Sequence, residues 1–229
     1  HKTRNGMISV VPAEGGGTAA PQTILEMAEE RGLSTGIVTN MPIWDATPAA
    51  TYAHAARRNE RESILKQLFA PRQGDGPDFI VGRDRKTFDQ VFAPDTQPAL
   101  FAKHGYQGVK DPAALSADMK RAIAITDTVF DPQHAVEAAI GSLSRNTKGY
   151  FLMVEWDMHT DDIVEGLTHA AEMDNLVRRA SQIAGPDTLI LFVADHSFGL
   201  RLRSAPRTQT LAAQVAAQDK NDSAKQAIA

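Results

Sequence analysis

The eight residues Glu155, Trp156, Asp157, Met158, His159, Thr160, Asp161 and Asp162 crowd carboxylates and an imidazole directly behind an apolar run, residues 150–154. A second copy of the pattern follows about forty residues on, where the apolar run 188–193 leads into Ala194, Asp195, His196 and Ser197. Oxygen and imidazole donors delivered from the ends of two buried strands suit zinc, with magnesium or another hard divalent ion beside it. Cysteine is absent, so thiolate nucleophiles and thiolate zinc sites are excluded. Any metal must be held by His, Asp, Glu, Thr or Ser.

The elements that would position these donors alternate. Residues 21–31 have apolar positions at Ile24, Leu25 and Ala28 with Gly32 at the stop, which predicts an amphipathic helix. Residues 35–39 predict a short buried strand, and 47–58 a helix with Thr47 as N-cap and Pro48 in its first turn. Further strands are expected at 78–82, 122–126, 151–155 and 189–194, with helices at 61–69, 133–144 and 163–183. Strands separated by crossover helices predict an α/β fold with a mostly parallel sheet, whose ligands gather at the carboxyl ends of the strands. The whole span 1–229 reads as one domain, with residues 72–111, rich in Pro, Gly and aromatics, looping out at the surface.

With 229 residues and 42% hydrophobic content, the chain can bury a sizeable core. The net charge of −4 and the lack of any long basic block give no footprint for nucleic acid. No apolar run approaches bilayer length, and residues 1–6 lack the apolar stretch of a signal peptide.

Taken in order, TILEMA at 23–28, TGIVT at 35–39, DATPAA at 45–50, DFIVG at 78–82, KGYFLMVE at 148–155 and VADHS at 193–197 resemble the alkaline phosphatase family. The resemblance runs from about residue 1 to 203. It implies a three-layer α/β sandwich around a mostly parallel sheet, and hydrolysis of phosphate monoesters with two Zn²⁺ and one Mg²⁺. Carried over position by position, Thr47 and Glu155 match magnesium ligands, and Asp195 and His196 match ligands of the zinc that holds the nucleophile. Arg58 matches the phosphate-clamping arginine, and Asp45 an acid beside the magnesium. The family also implies a homodimer and a periplasmic or extracellular setting.

Two departures stand out. The family spacing places an aspartate five residues after the glutamate and a histidine four further on, whereas here Asp157 and His159 follow at two and four. A strand continued through this segment would put Glu155, Asp157 and His159 on one side; Asp161 and Asp162 are the alternatives for the second zinc. The serine nucleophile and bridging aspartate that precede this span in the family, and the His-Thr-Gly motif that follows it, have no counterpart here, so an internal portion of such an enzyme is expected. Poor hydrolysis by this chain alone follows. A catalytically inactive metal-binding or structural subunit of the same fold is the rival reading.

Overall fold

The computed structural model describes residues 4–160 and 162–194. These fall into two compact units, 4–157 with 173–188, and 158–172 with 189–194. In the first unit, β1 (Val11–Pro12) and β2 (Thr18–Ala19) form a small antiparallel pair. Then α1 (Ile24–Glu30) leads into β3 (Ser34–Pro42), α2 (Ala46–Tyr52), α3 (Arg61–Lys66) and β4 (Phe79–Arg83). Next come α4 (Arg85–Val91), α5 (Gln97–Lys103), β5 (Gln107–Gly108), β6 (Ala122–Thr126), α6 (Pro132–Leu143) and β7 (Tyr150–Glu155). The 22-residue helix α7 (Ile163–Ala184) follows.

The five main strands make one sheet in the order β5-β6-β4-β3-β7, every neighbouring pair parallel. Side chains alternate across it. Ile37, Ile80, Ile123 and Ile125 join one core cluster with residues of α1 to α4, while Val38, Phe79, Val81, Ala122 and Ala124 join a second with α6. A strand buried on both faces is apolar for most of its length, which is why 79–81 and 122–125 read as continuous runs. Helix, sheet and helix give three layers, and the strand-and-helix order expected from sequence is present from α1 through β7.

Four expectations are corrected. Residues 47–58 do not form one helix: α2 stops at Tyr52, and Ala53 is extended (φ −128°). The cause lies elsewhere in the chain, because Ile8 and Ala55 exchange two backbone hydrogen bonds at 3.0 Å and Arg58 N–H donates to Gly6 O at 2.9 Å. A non-local bridge thus overrides the helix propensity of an alanine-rich segment. Thr47 is not the N-cap; that position is Asp45, which makes no side-chain cap bond.

The span 72–111, expected at the surface, supplies β4 to the middle of the sheet, and Phe88 and Gln97 are buried. Its turns are read correctly as turns, yet they connect elements of the core. Finally, residues 189–194 have no regular structure, and Leu189 and Val193 are 81% and 79% exposed. An apolar run becomes a strand only against a hydrogen-bonding neighbour, and its own unit contains none among the described residues.

Candidate active site

The site is built where β3 and β7 end side by side. Their ladder closes with Thr39 opposite Glu155. Thr39 is fully buried, and its hydroxyl donates to Glu155 Oε2 at 2.5 Å while accepting from Met41 N–H at 2.9 Å. The Thr47 hydroxyl, in the first turn of α2, stabilises the same carboxylate by hydrogen bonding. Because Thr47 does not cap the helix, its hydroxyl is available for that role.

Two further carboxylates, Asp45 and Asp157, act on Glu155 through space. Burial pushes the Glu155 carboxyl above its ordinary range; hydrogen bonds from Thr39 and Thr47 oppose this, and the charges of Asp45 and Asp157 add to it. Three acids close enough to repel make a local excess of negative charge.

Arg58 partly balances it. Its Nη2 donates to Asp45 Oδ1 at 2.8 Å and its Nη1 to Asn5 Oδ1 at 3.0 Å. The Asp45 loop is itself anchored. The Tyr52 hydroxyl donates to Ile43 O at 3.1 Å, Trp44 Nε1 donates to Asp84 Oδ2 at 2.7 Å, and Arg61 lies 4.1 Å over the Trp44 ring. A Cβ on Gly82 would come within 2.9 Å of Ile43 Cβ, so this loop approaches β4 at a distance only glycine permits.

On the other side, Asn40 is a residue that sequence reasoning passed over. Its Oδ1 accepts from Asp157 N–H at 2.7 Å and its Nδ2 donates to Asp157 O at 3.2 Å. Thr39 was equally unmarked, being one residue of an apolar strand. The side-chain alternation of β7 persists past the last rung. Trp156 packs in the same cluster as Tyr150, Leu152 and Val154, at 5.7 Å edge-to-face from Phe130. The strand itself stops at Glu155 and does not run through to His159.

Of the expected site residues, Asp45, Thr47, Arg58, Glu155 and Asp157 are gathered at the carboxyl edge of the sheet. His159 falls in the second unit, and Asp161, Asp195 and His196 lie outside the described residues. No group of three or more His, Asp or Glu side chains among the described residues is arranged to enclose a metal ion. The donors present, a carboxylate and a hydroxyl amid further acids, fit a magnesium-type ion. Such an ion takes few protein ligands and keeps several waters.

Comparison with known proteins bears on the same residues. The alkaline phosphatase family profile matches residues 1–77 and 107–228. Alkaline phosphatase 3 of Bacillus subtilis (strain 168) is 30% identical over 220 residues, covering 86% of this chain and 46% of that protein. The cold-active alkaline phosphatase of the psychrophile Shewanella sp. superposes with a TM-score of 0.65 at 25% identity, over 79% of this chain and 46% of that one. A variant of the TAB5 alkaline phosphatase with Mg bound in its M3 site gives 0.61 at 22% identity, over 78% and 55%. The chain spans about half the length of the relatives it matches. No described helix is long and apolar enough to cross a membrane. By the profile match and the shared sandwich, this chain belongs to the alkaline phosphatase family.

Proposed function

We propose that this chain carries part of the metal and phosphate site of a phosphomonoesterase that works by in-line phosphoryl transfer with Zn²⁺ and Mg²⁺. The observation that carries the reading is the meeting of Thr47 and Glu155, with Asp45, Asp157 and Arg58 beside them, at the carboxyl edge of the sheet. Thr47 and Glu155 hold magnesium. Asp157 serves one zinc; His159, Asp161 and Asp162 are candidates for that zinc by sequence alone, as Asp195 and His196 are for the other. A bound divalent ion supplies Lewis-acid stabilisation of the charge that builds on phosphoryl oxygens.

Arg58 presents a planar fork that matches two phosphate oxygens, and its charge opposes theirs. Asp45 and Asn5 each take one prong of that fork, and the side chain is 39% exposed, so an arriving anion exchanges with these partners. The half-buried acids repel a phosphate until a cation neutralises them, so metal binding and phosphate binding are coupled. The family reading carries with it a homodimer, a setting outside the cytoplasm and a small phosphate monoester as substrate.

Titration of the 229-residue chain with magnesium chloride tests the reading. One ion per chain is expected, lost in Glu155→Gln, with turnover of a chromogenic phosphate monoester measured in parallel with zinc and magnesium supplied. Wild-type chain that takes up no magnesium, or a Glu155→Gln variant that binds it unchanged, would refute the assignment.

A further inference from the structure

The β3–β7 ladder ends at Thr39 and Glu155, and β3 then bulges, its register with β4 shifting between Val38 and Pro42. A strand end released in this way frays unless its backbone groups find other partners. Here the partner is a side chain. The Asn40 amide offers one acceptor and one donor spaced like a peptide group, and it takes both the N–H and the C=O of Asp157. The result is an imitation rung one step past the real ones. Asp at position 40 would supply only the acceptor, Ser would fall short, and Ala would supply neither.

The need for such a rung follows from charge. Trp156 packs with Tyr150, Leu152 and Val154, so alternation sets the Glu155 and Asp157 carboxylates together on the other side, where like charges repel. Trp156, 8% exposed and packed on Phe130, fixes the residue between them from the opposite face of the sheet. Thr39 fixes the Glu155 carboxylate itself. The Asp157 backbone is held by Asn40.

We infer that Asn40 is a positioning residue that, with Thr39, keeps the Glu155–Asp157 carboxylate pair together before any cation arrives. The inference rests on the metal-site reading above for its purpose, but not for its geometry. Residues that orient metal ligands through hydrogen bonds commonly change metal affinity by 10–100-fold when removed.

The test compares Asn40→Ala, Asn40→Asp and Thr39→Ser with the full wild-type chain, each first shown to be folded by its thermal melt. Exchange of the Asp157 backbone amide with solvent is followed by nitrogen-15 NMR, without metal. Magnesium and zinc affinities are then measured by calorimetry. Asn40→Ala should accelerate exchange at Asp157 at least tenfold and weaken metal binding by about tenfold or more. Asn40→Asp, which keeps the acceptor, should retain the amide protection, and Thr39→Ser should retain both properties. Unchanged exchange in Asn40→Ala overturns the inference. So does accelerated exchange with metal affinity intact, since Asn40 would then be merely structural. Wild-type chain that binds neither ion would remove the metal reading, and the exchange result would still decide whether Asn40 holds Asp157. Should Asn40→Ala fail to fold, Asn40→Ser gives the same comparison with a smaller loss of packing.

Discussion

Arg58 and Asp45 form an ion pair at 2.8 Å, although they are thirteen positions apart with the whole of α2 between them. The pair is partly exposed, with side chains 39% and 23% accessible, so its worth to folding is small, at most about 1 kcal/mol. Its effect is to orient a fork. Arg58→Lys keeps the charge but loses the two-pronged geometry. It should leave the melting temperature nearly unchanged while weakening inorganic phosphate binding by roughly tenfold, the equivalent of about 1.4 kcal/mol. Equal phosphate affinity in the two proteins, by competition or calorimetry, would show that the guanidinium does not clamp the anion.

Thr47 offers a sharper separation between folding and metal binding. Thr47→Val preserves shape and removes only the hydroxyl that supports Glu155. Magnesium affinity is expected to drop by about tenfold or more, with Thr47→Ser close to wild type. Calorimetric titration checks it. A Val variant that binds magnesium as tightly as the Ser variant would take Thr47 out of the site.

At the opposite edge of the sheet, burial pushes the Glu29 carboxyl up to about 7 from 4.5. The Thr35 hydroxyl at 2.5 Å opposes this shift, and Asp78 and Asp75 add to it. The folded state therefore keeps a proton that the unfolded chain has already lost. Stability should fall as pH rises from about 4.5 to about 7 and stay lower in alkaline solution. Glu29→Gln cannot ionise, so it should be more stable than wild type by on the order of 2 kcal/mol at pH 8, with the gap closing below pH 5. Urea melts at both pH values measure this, and a gap that does not depend on pH would contradict it.

Arg121 is the structural counterpart of the site arginine. It is 8% exposed, pairs with Asp75, lies 3.6 Å from Asp78 through Nε, and donates from Nη2 to the carbonyls of Asp75 and Gly76 and to the Tyr106 hydroxyl. Arg121→Met should destabilise by about 3–5 kcal/mol, because it strands a half-buried carboxylate and several carbonyls. A loss under about 1 kcal/mol in chemical denaturation would mean that water replaces the guanidinium freely.

Much of this was legible in the residues because it depends on local pattern. The runs 35–39, 78–82 and 122–126 each hold an apolar core, at residues 37–38, 79–81 and 122–125, and form the three central strands. Thr47 and Glu155 were marked by residue type and by the order of motifs. What escaped depends on partners far along the chain. Nothing in AHAARR predicts that Ile8 will draw residue 55 out of a helix. Asn40 reads as a strand-end polar residue until Asp157, 117 positions later, arrives beside it. The run 188–193 shows the converse, a strong strand pattern that supplies the propensity but not the neighbour.

The separation between Thr39 and Glu155 also bears on how the molecule assembles. Joining β3 to β4 closes a loop of about 43 residues, as measured at the Thr35–Asp78 contact, whereas joining β3 to β7 closes one of 116. Loop-closure entropy grows with the logarithm of length, so from the unfolded chain the β3–β7 closure costs about 0.9 kcal/mol more than the β3–β4 closure and is disfavoured as a first event. Chain order adds to this in the cell, since β7 leaves the ribosome after β3, β4, β5 and β6. The acids that repel one another are thus brought together last, onto a sheet whose centre has already condensed. Pulse-labelled refolding should find β4 and β6 amides protected before those of β7, and simultaneous protection would rule this order out.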